Sequence, residues 1–388
     1  MERVVVFAGL SLLKALGAVR CGSYRECAEA VSRAVAEELG VAEVSVAPNV
    51  YGSSFRQESP GLGLYFNYVY KRALDVLEEL GPSEVHLDLS HGVNYMPALA
   101  KDAVRLAVYA YVTSSRREVR LAMYNSDPYE PGAARLYVHR VWEESVGVPA
   151  ALSALLTPFL DRRNAEAASS LARLEEIYGG CSDMYRLRFK TYRLAQAAAS
   201  GVYLYLKAVE DYVSSCFKAL DGYLSRVGRG DVEVEVRDGE VVYKSEAPEL
   251  LAYLHAFYKA IYSVLQAVRR CDCRTPGFVD VGCLGGVAAT YYVNHAVRAV
   301  VQNEVRKLLR LKDAAKRKRG AALLGELLYG DFDSAGLCRP KPRNLVAHAG
   351  FADAAAFLLY EDDALCASYR PSPTLDCTVG VEKALDEL

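Results

Sequence analysis

No stretch of these 388 residues approaches the ~18 consecutive apolar residues that a membrane span needs. Nor is there an excess of either charge. Lys and Arg number 46 against 48 Asp and Glu, a formal net charge of −2, so any contact with nucleic acid has to come from a local basic patch. Ten cysteines are present, yet no two form a C-x-x-C pair. The closest spacing is Cys271-Asp272-Cys273, with no histidine at a finger-like distance after it, so a zinc module is not expected. There is no G-x-G-x-x-G after the first strand and no G-x-x-x-x-G-K-[S/T] anywhere, which argues against a dinucleotide dehydrogenase and a P-loop NTPase. Four Gln, eight Asn and four Met are few for this length, as in chains depleted of heat-labile residues. Because intracellular proteins adapted to heat can keep disulfides, one or two structural disulfides are expected. The N-terminus has a faint likeness to a signal peptide, but Lys14 interrupts its apolar stretch and Arg20 stands where a small residue would be needed. A soluble, cytoplasmic protein with no membrane partner is expected.

With hydrophobic residues at 52% and charged residues at 24%, the chain is ordinary globular material. Its length predicts two or three domains. The first ~150 residues alternate strand and helix. Strands are expected at Val4–Phe7, Val41–Ala47, Val85–Leu89 and Val119–Tyr124. Helices are expected at Tyr24–Leu39, Gly63–Leu80 and Met96–Val112. That alternation predicts βαβ units, a mostly parallel sheet and ligands at the carboxyl ends of its strands. From Val148 onward, long Ala/Leu/Tyr/Arg stretches read as a helical bundle. One β-hairpin interrupts it around an Arg237-Asp238-Gly239 turn. The fold class is therefore α/β plus all-α.

Two segments carry candidate chemistry. Asp88-Leu-Ser-His-Gly-Val-Asn-Tyr-Met-Pro97 runs from a strand through small polar residues into a helix, a geometry that offers backbone N–H groups to an anion or ribose. The plainer reading is an ordinary turn with Ser90 as a cap and His91 on the surface. The second segment is Arg339-Pro-Lys-Pro-Arg343-Asn344-Leu-Val-Ala-His348. A guanidinium can clamp a phosphate, an imidazole can shuttle a proton near neutral pH, and Asn344 can orient either. Residues five apart lie roughly 140° apart on a helix, so Arg343 and His348 do not share a face, though both can border one cleft. Here the plainer reading pairs Arg343 with a carboxylate and packs His348 in the bundle. A basic run before this segment (Arg306, Lys307, Arg310, Lys312, Lys316, Arg317, Lys318, Arg319) is either a solvated helix face or a local RNA-binding patch. The other histidines, His86, His139, His255 and His295, have no metal-ligand spacing, and no metal is expected.

In combination and order, the Asp88–Pro97 turn and the Arg343-Asn344-x-x-x-His348 element resemble the CRISPR-associated CARF–HEPN ribonucleases of type III systems. The loop Ala8-Gly-Leu-Ser-Leu-Leu13 departs from that pattern, lacking the Trp, Asn and Pro often found after strand one. The resemblance implies a Rossmann-like CARF domain over 1–150, a helical connector over 151–250 with a hairpin near 231–244, and a helical HEPN ribonuclease domain over 251–388. It further implies a homodimer, or a higher assembly of dimers, with no cofactor. A cyclic oligoadenylate, the tetra-adenylate for preference, would bind at Gly9, Ser11, Ser90, His91, Gly92 and Asn94. Single-stranded RNA would be cut without metal by Arg343, Asn344 and His348, leaving a 2′,3′-cyclic phosphate. Two alternatives stand beside this: a CARF domain that also degrades its activator, and a non-enzymatic sensor whose helical half only dimerises or binds a partner.

Overall fold

A computed structural model of the chain describes residues 3–17, 21–58, 62–90, 95–128, 135–169, 184–237, 240–244, 248–318, 320–330, 332 and 336–388. It divides into two compact units. The first comprises the described residues of 3–146 together with 218–256, and the second those of 147–217 together with 257–388.

In the first unit, β1 (Val6–Gly9) leads through a 3₁₀ turn to α1 (Tyr24–Leu39), then β2 (Val44–Ala47), β3 (Phe55–Gln57), α2 (Gly63–Leu80), β4 (Glu84–Asp88), α3 (Tyr95–Ser115), β5 (Val119–Ser126) and β6 (Val138–Val146). Local chemistry sets several bounds. The Ser23 side chain accepts from the Glu26 amide to cap α1, and Gly40, at φ 63°, ends it by donating to the Ala36 carbonyl. Gly81 ends α2 in the same way. The expected βα alternation is present, with β1 and β2 parallel and β4 and β5 parallel. Among the described residues the strands fall in three separate sheets rather than the one mostly parallel sheet expected: β1 with β2, β4 and β5 with β6 antiparallel to β5, and β3 parallel to one strand of the hairpin β7 (Val234–Arg237) and β8 (Glu240–Tyr243). The hairpin is therefore no insertion in a helical connector. It belongs to the first unit, and the segment 151–250 is divided between the two units. The tip residues Asp238 and Gly239 lie outside the described residues. Val31, Phe55, Phe66, Tyr70, Val108, Leu121 and Tyr243 form the core.

The second unit holds α4 (Val148–Leu156), α5 (Arg162–Ser169), α6 (Met184–Ala199), α7 (Tyr203–Ala208), most of α9 (Leu250–Arg269) and the first turns of α8 (Glu210–Gly228). Next come β9 (Val279–Asp280), α10 (Val281–Thr290), α11 (His295–Leu309), α12 (Lys312–Arg317), β10 (Ala322–Leu323), α13 (Leu324–Tyr329) and α14 (Pro342–Ala347). The hairpin β11 (Phe357–Glu361) and β12 (Ala364–Ser368) leads to α15 (Thr378–Asp386). The all-helical expectation fails here, because β10, β11, β12 and β9 form a four-stranded antiparallel sheet. The Ala354–Tyr360 run has helix-forming composition, but Asp362 (φ 45°) and Asp363 (φ 62°) turn the chain back in the left-handed pair that a tight hairpin needs. Buried Leu358 and Leu365 then close the sheet onto a core containing Phe159, Phe257, Phe278, Leu345 and Tyr369.

Cross-linking exceeds the one or two disulfides expected. Cys21–Cys27, Cys271–Cys283, Cys273–Cys366 and Cys338–Cys377 are bonded, Cys216 is also in a disulfide, and none of the described cysteines is free. No helix among the described residues is long and apolar enough to cross a membrane.

Candidate functional sites

At the carboxyl end of β1, Gly9 is a glycine for lack of space: a Cβ there would sit 2.9 Å from the Asn49 side chain. Asn49 itself, just past β2 and 1% exposed, organises the region. Its Oδ1 accepts from the Ser11 amide at 2.9 Å, and its Nδ2 donates to the Ser11 hydroxyl at 2.8 Å and to Met96 Sδ at 3.7 Å. Tyr95 opens α3, and its hydroxyl donates to the Val50 carbonyl at 2.9 Å and accepts from the Val50 amide at 2.8 Å. Tyr65 donates to the Met96 carbonyl, and Tyr243 of the hairpin to that of Asn49. The turn after β1, the end of β2 and the start of α3 are thereby drawn together at strand carboxyl ends, where α/β sheets bind ligands. Burial pushes the phenols of Tyr65, Tyr95 and Tyr243 above their ordinary range, so all three act as neutral donors.

Ser90 caps the turn after β4. Its amide donates to Asp88 Oδ1 at 2.9 Å, its hydroxyl donates to the same oxygen, and its Oγ accepts from the Ser126 amide at 2.7 Å. The hydroxyl is thus occupied within the protein, which leaves its role as a fixed corner. His91, Gly92 and Asn94 lie outside the described residues. Asn49 was missed from sequence, where Pro48-Asn49 reads as a strand end.

In the second unit, Pro342 starts α14, and the Asn344 carbonyl accepts from the His348 amide at 3.0 Å at its end. Ala349 (φ 50°) and Gly350 (φ 85°) then reverse the chain, and the Gly350 amide returns to the Leu345 carbonyl at 2.7 Å. Buried Leu345 anchors the helix. Arg343 is exposed, and neither it nor the Asn344 side chain has a hydrogen-bonding or ionic partner among the described residues. The expected carboxylate partner of Arg343 is absent from that set. His348 is half-exposed, and its Nδ1 meets Oε2 of Glu304 on α11 at 3.1 Å. Glu304 is nearly buried, and its Oε1 also accepts from Lys307 at 2.6 Å. Glu304 is a second residue missed from sequence, since 44 positions separate it from His348.

In the basic run Arg306, Lys307, Arg310, Lys316, Arg317 and Lys318 are exposed, while Arg319 lies outside the described residues. Lys312 and Lys316 stand 5.6 and 5.3 Å from the Tyr360 ring centroid. Other histidines are engaged elsewhere: His86 with Tyr124, His139 with Asp127, and His255, fully buried, between the Tyr70 hydroxyl at 2.7 Å and Asp221 at 3.1 Å. Cys273, Cys366 and Glu361 place three potential metal-ligating atoms together. Both sulfurs are joined to each other, and the carboxylate holds the Thr275 amide and hydroxyl at 2.8 and 2.6 Å.

Residues 1–128 match the family model described as the CARF domain of the CRISPR system endoribonuclease Csx1, and the N-terminal segment is a CARF domain of that type. One relative, the CRISPR system endoribonuclease Csx1 of Methanocaldococcus jannaschii, is 33% identical over 111 residues. That similarity covers 27% of this chain and 23% of the relative, so the chain spans about a quarter of the relative's length.

Proposed function

We propose that the protein is a ribonuclease of CRISPR defence in which the CARF domain senses a cyclic oligoadenylate and the C-terminal part, as a HEPN domain, cuts single-stranded RNA without a metal. One observation carries this reading. In a chain whose N-terminal third is a Csx1-type CARF domain, an exposed arginine with no partner among the described residues opens the same short helix that a half-exposed histidine closes. The imidazole has one nitrogen tied to a carboxylate and the other unbonded among the described residues.

The chemistry follows from these groups. His348 takes the proton of a ribose 2′-hydroxyl as its oxygen attacks the adjacent phosphorus. The P–O bond to the 5′-oxygen of the next nucleotide breaks, and that oxygen leaves with a proton from a second imidazole or from water. The products are a 2′,3′-cyclic phosphate and a 5′-hydroxyl. Arg343 offsets the charge on the phosphorane oxygens, and Asn344 orients the phosphate. A homodimer would supply two such sets and bind one two-fold ligand across its CARF domains. Gly9, Ser11, His91, Gly92 and Asn94 would line that ligand, with Ser90 as the fixed corner of its turn and Asn49 fixing the Ser11 loop behind them.

The test is cleavage of a quenched fluorescent RNA in EDTA, with and without cyclic tetra-adenylate. Cleavage is expected with the activator alone present, and His348→Ala should abolish it while the dimer and activator affinity persist. A requirement for divalent ions would overturn the metal-free mechanism. Silence despite bound activator would favour a sensor without nuclease activity.

A further inference from the structure

We infer that Glu304 is a positioning residue that fixes the tautomer of His348, so that Nδ1 carries the ring proton and Nε2 keeps the lone pair. This rests on the reading of His348 as the proton-transfer group and names what prepares it. A buried carboxylate has to be met by donors, and an ionised one only accepts. Glu304, 9% exposed, is met by two: Lys307 on Oε1 and His348 Nδ1 on Oε2. Nδ1 must therefore bear hydrogen, and a neutral ring is left with its basic nitrogen at Nε2. That nitrogen has no hydrogen-bond partner among the described residues, on a side chain 46% exposed. Both halves of the pair stand on anchored backbone. Val301, Val305 and Leu308 bury the Glu304 side of α11, and Leu345 buries α14. The carboxylate also offsets the charge that the ring gains when it takes the substrate proton, as the acid of a Ser-His-Asp triad does.

Lys307 makes the inference sharp. In Glu304→Gln the ammonium, which can only donate, holds the amide oxygen, and the NH₂ group turns toward His348. Nδ1 then has to accept, and the ring proton moves to Nε2, the wrong nitrogen. Glu304→Gln should lower kcat on the order of 10²-fold with KM changed less than about twofold. Removing the lysine as well, in Glu304→Gln/Lys307→Met, frees the amide to rotate and should recover most of that kcat.

The experiment combines kcat and KM of these variants with two-bond ¹H–¹⁵N spectra of ring-labelled histidines, His348→Ala serving to assign the signal. Wild type should show the Nδ1–H pattern for His348, Glu304→Gln the Nε2–H pattern, and the double variant a return. A wild-type Nε2–H pattern, which needs no variant to fold, overturns the inference. So does an unchanged kcat in Glu304→Gln when His348→Ala is inactive. If His348→Ala cleaves normally, the catalytic reading of His348 falls and its consequence for kcat with it, while the spectra still decide whether Glu304 sets the tautomer.

Discussion

Asn49 spends every hydrogen-bonding group of its amide on the turn after β1 and the start of α3. Asn49→Ala would leave the Ser11 amide without its acceptor, at about 1–3 kcal/mol. A loss of that size in chemical denaturation, with cyclic tetra-adenylate affinity weakened at least about tenfold in calorimetry, is the expected outcome. Gly9→Ala acts on the same contact by crowding and should shift in the same direction. A second residue-scale prediction concerns acid. Burial alone would raise the carboxyl of Glu210, but hydrogen bonds from Arg269 and Lys207 outweigh it and hold it below its usual range. A carboxyl lowered on folding adds stability that is present above the unfolded value of 4.5 and is lost as pH falls through the folded one. Glu210→Gln should therefore lower stability most at neutral pH and least at the acid end, flattening the acid limb of a stability profile.

Among elements, the β11–β12 hairpin is where sequence and structure part most clearly. Helices with caps were legible: α1 and α2 fall on the residues expected, since Ser23, Gly40 and Gly81 mark their ends. Ala354–Tyr360 was not, because its composition favours helix while its fate is set by two aspartates downstream and by strands distant in sequence. The same limit hid Glu304, whose partner lies on another element, and Asn49, whose importance depends on three loops meeting. Arg343, Asn344 and His348 could be proposed from sequence because their whole spacing is local. The turn offers a direct check. Asp362→Asn with Asp363→Gly suits the left-handed pair better and should raise stability by about 0.5–1 kcal/mol, read as a higher denaturation midpoint. Gly350→Ala should do the reverse. At φ 85° its Cβ would lie 2.8 Å from the Tyr369 hydroxyl and from Val202, and RNA cleavage should fall with the displaced end of α14.

At the scale of the molecule, cross-links concentrate in the second unit, where Cys271–Cys283, Cys273–Cys366 and Cys338–Cys377 close separations of 12, 93 and 39 residues. The longest should contribute on the order of 4–5 kcal/mol by restricting the unfolded chain. Cys273→Ser/Cys366→Ser should lower the thermal midpoint more than Cys21→Ser/Cys27→Ser, whose separation is 6. Cys338 precedes α14 by four residues, so the bond to Cys377 also tethers the approach to Arg343. These bridges mean that the oxidised chain never becomes a free coil. Stripped of all its folded contacts it is still a string of rings, smaller in hydrodynamic radius than its length implies, and it should run ahead of its thiol-treated form on a denaturing gel.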